Sequence, residues 1–97
     1  MTMEYNEVLT DTFTIETGNG NTYGTEKEVF FSNESAPCSI IVTDNQTPCA
    51  RVNLQIKKGL FVVWLNYDEG QMIISKYVSV RANCSAGGGQ LRLKVLS

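Results

Sequence analysis

Apolar and polar residues alternate with a period of two over most of this 97-residue chain. Nowhere does the i, i+3, i+4 spacing of an amphipathic helix persist for three turns, so the pattern predicts strands. Residues 10–16 place Phe13 and Ile15 on one face, and 27–32 do the same for Val29 and Phe31. Ser35-Ala36-Pro37 breaks that strand, and 38–43 follow as the next. Residues 51–56 alternate strictly, with Val52, Leu54 and Ile56 inward and Arg51, Asn53 and Gln55 outward. The run 60–67 is apolar on both faces through Leu65, which predicts a central strand covered on both sides with Trp64 in the core. Residues 71–82 read as a long strand, and 90–96 close the chain with Leu91, Leu93 and Val95 inward.

Turn chemistry separates these segments. The loop 17–24 holds three glycines and two asparagines, 44–48 is a turn cluster, and Lys57-Lys58-Gly59 reads as a tight hairpin connection. Asp68-Glu69-Gly70 makes another turn, and Ser85-Ala86-Gly87-Gly88-Gly89 reads as a flexible loop. About seven strands spaced some ten residues apart predict an all-β fold: an antiparallel β-sandwich, Ig-like or jelly-roll-like, whose last four strands form a meander. The length suits one core, so 1–97 is expected to be one domain, with residues 1–9 as an N-terminal arm.

Composition sharpens this picture only slightly. Hydrophobic residues make up 42% and charged residues 19%, which is globular and far from the disordered regime. No apolar run is long enough to predict a membrane-spanning helix. The first residues lack the basic and apolar regions of a secretory signal, so the chain is expected to stay where it is made, or to be extracellular if a leader has been removed. Three cysteines, Cys38, Cys49 and Cys84, allow free buried thiols or one bridge with one thiol left over. Sequons at Asn33, Asn45 and Asn83 mark segments expected to be exposed loops.

Charge is divided sharply. Residues 1–48 carry eight acids against one base, giving −7, and residues 49–97 carry seven bases against two acids, giving +5. Such halves either present two faces to partners or neutralise each other across the fold.

The inventory disfavours catalysis. There is no histidine, no G-x-S-x-G elbow and no phosphate loop, so no enzyme activity and no cofactor are expected. Without histidine or C-x-x-C, a zinc site lacks its usual ligands, and the acidic turns Asp44-Asn45 and Asp68-Glu69 lack calcium-loop spacing. The stronger signal is the outward register of the basic half. Arg51 and Asn53 leave one strand, Tyr77 and Arg81 another, Arg92 and Lys94 the last. Were these strands to share a sheet, their exposed face would be a cationic platform rich in amides and hydroxyls. Tyr23, in the 17–24 loop, is the further candidate recognition aromatic.

These residues predict a non-enzymatic β-sandwich binding module that engages a protein partner or self-assembles through opposed charged faces. The alternatives are a lectin-like carbohydrate-binding module using Tyr23 or Tyr77, and a small inhibitor acting through loops or an edge strand. Nucleic acid is disfavoured by the pI near 5.0 and by the lone stacking ring on the basic face.

Residues 87–95 (G-G-G-Q-L-R-L-K-V) resemble the closing strand of an immunoglobulin variable domain, and Cys49 with Trp64 fifteen residues on resembles its strand B–C pair. The pattern departs from that family at Cys84, only 35 residues after Cys49, and at Ala82, where a tyrosine would stand. The likeness is therefore one of sandwich chemistry, and it assigns no family.

Overall fold

Period-two alternation becomes two packed sheets in the computed structural model, which describes residues 12–30, 37–59 and 62–96. The expected arm over 1–9, the inward Phe31 and the sequon at Asn33 lie outside the described residues. The first sheet has the order β1-β8-β4, from β1 (Thr12–Glu16), β4 (Ser39–Gln46) and β8 (Gln90–Leu96). The second has the order β2-β7-β5-β6, from β2 (Gly18–Asn19), β5 (Asn53–Lys58), β6 (Leu65–Tyr67) and β7 (Tyr77–Cys84), with β3 (Lys27–Phe30) also paired to β7. All pairs are antiparallel except the short β2–β7 ladder. No helix forms among the described residues, so none is long and apolar enough to cross a membrane.

The core lies between the sheets. Leu91, Leu93 and Val95 of β8, all but fully buried, meet Ile15 and Ile40 of the strands beside it. Val29, Leu54, Ile56, Val78, Val80 and Ala82 supply the opposing face. Each of these valine, leucine and isoleucine side chains contributes roughly 1.5–3 kcal/mol by leaving water. That is why the alternation in 53–58 and 90–96 specifies its register so firmly.

Several expectations are corrected. The run 60–67 is not a central strand: of its described residues only Leu65–Tyr67 pair, at the sheet edge, and Val62, Val63 and Leu65 are 85%, 62% and 45% exposed. The reason is what the chain does next. Beyond Tyr67 it leaves the sheet and covers the open edge of β4: Gly70 N–H donates to Ile40 O (3.0 Å), and Cys38 and Ile73 exchange backbone bonds (2.8 and 2.6 Å). The strand expected over 71–82 therefore begins only at Tyr77. The meander fails as well, because β7 pairs with β5 and not β6, and β8 crosses to the other sheet. The expected turn at 44–48 starts late: β4 runs on to Gln46 through an irregularity between Val42 and Asp44.

Of the cysteine alternatives, the structure takes the one with a single bridge, Cys49–Cys84. It ties the connection after β4 to the buried end of β7. Cys38 is buried, and burial pushes its thiol above the ordinary range. Asn83, expected in an exposed loop, is instead buried on β7.

Candidate functional site

The seven candidate residues do not form one platform. Arg92 and Lys94 leave the outer face of the three-stranded sheet, opposite Thr14 and Asp44 and opposite Thr12 and Ile41 respectively. Asn53, Tyr77 and Arg81 belong to the five-stranded sheet. Arg51 stands exposed before β5, on the rim of a cleft of about 410 Å³ floored by Val42, Val52, Leu54 and Tyr67. The shared cationic wall expected from the sequence is thus split, because β8 sits in a different sheet from β5 and β7. Among the described residues, strands of the two halves interleave: β1 and β4 both flank β8, and β2 and β3 both flank β7.

What the fold does assemble is a cluster around Arg81. Arg81 points outward from the middle of β7, between Gln55 of β5 on one side and the 17–24 loop on the other. Its Nε–H and one Nη2–H donate to Gln55 Oε1 at 3.0 and 2.7 Å, and Gln55 Nε2 donates on to Asn66 Oδ1 at 3.1 Å. This relay follows from the pairing of Asn66 with Gln55 and of Gln55 with Arg81 in one row across three strands.

Two rings close on the guanidinium from two sides. Its Cζ lies 4.2 Å from the centroid of Tyr23 and 4.1 Å from that of Trp64, and Lys57 Nζ lies 5.1 Å from the Trp64 centroid. Contacts of this kind contribute about 0.5–1 kcal/mol each where partly exposed, and more where water is kept away. Tyr23 reaches Arg81 because its loop is fastened down at both ends. Gly20 N–H donates to Cys84 O and Gly24 N–H to Ala82 O, both at 3.1 Å. Asn83 Nδ2 donates to Gly20 O at 2.7 Å, and Asn83 Oδ1 accepts from Asn53 Nδ2 at 2.9 Å. Gly24 sits so close to the Glu16 carbonyl that no side chain fits there. Asn53 is therefore a support for the Tyr23 loop. Tyr77, four residues along β7 from Arg81, is half-buried, and its carbonyl accepts from Gly59 N–H and the Ser75 hydroxyl.

The glycine loop expected to be flexible is pinned too: Thr17 bonds Gly89 through both backbone and hydroxyl, at 2.9–3.0 Å. The two Gly-rich loops accordingly meet at one end of the sandwich. Sequence reasoning missed Trp64, taken for core and found half-exposed on the outer face, and the Lys57 beside it. The available signal was strand parity, since Ile56 pairs with Leu65 and so puts Trp64 on the face of Lys57 and Gln55.

Comparison with known proteins finds no matching family model, no matching curated protein and no matching solved structure.

Proposed function

We propose that this domain is a non-enzymatic binding module that engages another protein through the outer face of its five-stranded sheet, centred on Arg81. One observation carries the reading: an outward guanidinium lies against the rings of Tyr23 and Trp64, and Trp64 directly follows the exposed apolar residues Val62 and Val63 in the chain. Tryptophan, tyrosine and arginine dominate the energetics of protein interfaces, because each combines a large buried area with a directional polar group. Apolar residues at a sheet edge supply the surrounding contact that excludes water.

The test places a photo-crosslinking residue at Asn66, which is exposed on the same face. A specific protein adduct is expected in an extract of the source cells, lost in Trp64→Ala and kept in Arg92→Ala on the other sheet. An adduct indifferent to Trp64→Ala, or none at all, would overturn the reading. A second copy of the chain in the adduct supports it as well as a different protein does.

A further inference from the structure

Arg81 is held by Gln55, Tyr23 and Trp64, and not by an ion pair among the described residues. A guanidinium carries five N–H donors in a rigid planar fork. Gln55 takes the Nε–H and one Nη2–H, so three N–H groups are left without a hydrogen-bond partner among the described residues. Nη1, which makes no hydrogen bond among the described residues, is not a buried unpartnered atom and so keeps access to solvent. Among the described residues no carboxylate stands within ion-pair distance of Arg81 or Lys57, although acids abound elsewhere in the chain. Tyr23 and Trp64 contact the guanidinium, and its two hydrogen bonds to Gln55 Oε1 orient one edge of the fork towards β5. Little freedom remains to be lost when an anion docks edge-on.

We infer that the outward edge of Arg81, with Lys57 beside it, is the docking point for a carboxylate side chain on an acidic, extended segment of the protein partner. This rests on the proposed function and names the partner's chemistry. A planar fork with two parallel N–H groups matches a carboxylate's two oxygens. A phosphate or sulfate polymer fits less well. The cluster has only two cations, Glu28 stands in the row that carries Ser79 and Lys57, and the chain is net −2. Val62 and Val63, exposed and next to Trp64 in the chain, suit apolar neighbours of an acidic residue in a peptide, not a sugar or a phosphate backbone.

Trp64 is the lone tryptophan and touches Arg81, so its fluorescence reports this site directly. The probes are an end-blocked oligo-glutamate peptide, the matching oligo-glutamine, a heparin oligosaccharide and a single-stranded oligonucleotide. Oligo-glutamate is expected to change Trp64 emission saturably, to weaken as salt is raised, and to compete with the Asn66 adduct. Arg81→Gln should reduce its affinity at least tenfold. Arg81→Lys, which keeps charge without the fork, should fall between, and Arg92→Gln should match the parent. Oligo-glutamine should be inert. A saturable response to heparin or the oligonucleotide without one to oligo-glutamate would overturn the inference, as would equal binding by Arg81→Gln. Should the Asn66 adduct still depend on Trp64 while oligo-glutamate does nothing, the carboxylate assignment falls and the binding face stands.

Discussion

At the scale of single residues, Tyr67 shows how one side chain closes an edge. Its ring faces the core from β6, and its hydroxyl accepts from Ile40 N–H at 2.9 Å and donates to Gln71 O at 2.5 Å. Glu69 does the same one step along, accepting Val42 N–H at 2.7 Å. Two outward-facing donors of β4, an open invitation to another strand, are thereby satisfied from within. Burial pushes the Tyr67 hydroxyl above the ordinary tyrosine range; the Ile40 hydrogen bond opposes this and the Glu69 charge adds to it. The native state thus holds this proton more tightly than the unfolded chain does. Its contribution is complete below the ordinary tyrosine pKa of about 10 and is lost as pH rises through that value towards the higher folded one. Tyr67→Phe is expected to cost about 1–3 kcal/mol at neutral pH, since it strands a buried backbone N–H. Urea midpoints at neutral and strongly alkaline pH measure both effects. A variant that keeps the parent's midpoint, or its full alkaline loss, contradicts the assignment.

At the scale of elements, the junction before β8 depends on a close approach. An added Cβ at Gly89 would collide with the Gln46 carbonyl and meet Thr47 Cα at 3.0 Å, while at Gly88 it meets only Thr17 O at 3.1 Å. Gly89→Ala should therefore destabilise by about 1–3 kcal/mol, the usual cost of forcing atoms into filled space, and Gly88→Ala by distinctly less. Paired urea denaturation curves decide it, and equal losses would show that the junction yields. The same contrast marks what sequence could reveal. β8 runs over 90–96 as its alternation demands, and Leu54 and Ile56 face inward as their spacing requires. Those segments have one apolar face, so only one register buries it. The 60–67 run offers no such constraint, because an all-apolar stretch serves a covered centre or an exposed edge equally. The face taken by Trp64 was hidden for a related reason. Lengthening a hairpin connection by one residue flips every later side chain, and Lys57-Lys58-Gly59 does not fix that length. Tyr23 was singled out, but its partner Arg81 comes from a strand 58 residues later that only the tertiary fold brings near.

At the scale of the whole molecule, the described strands of the acidic half are laid against those of the basic half, which brings Glu16, Glu28 and Asp44 into the ladders of β7 and β8. The strands carrying the acids flank β7 and β8, which carry Arg81, Arg92 and Lys94. Those long-range pairings rather than opposed faces organise the fold, and the Cys49–Cys84 bridge clamps them. It spans 35 residues, running from the connection after β4, through β5 and β6, to the end of β7. Closing a loop of that size removes conformational freedom from the unfolded chain worth about 3–4 kcal/mol. The bridge also anchors the end of β7 whose Cys84 carbonyl accepts Gly20 N–H, so it supports the loop that carries Tyr23. A Cys49→Ser, Cys84→Ser double variant should lose most of that stability relative to the oxidised chain. It should also weaken the binding assigned to Arg81 more than that of a variant destabilised equally in the three-stranded sheet. Urea midpoints give the first quantity and Trp64 titration with oligo-glutamate the second. A loss below about 1 kcal/mol would mean that residual structure in the unfolded chain already restrains the loop that the bridge is held to close. Full binding in a destabilised double variant would show that the Tyr23 loop is held by Asn83 and the backbone alone.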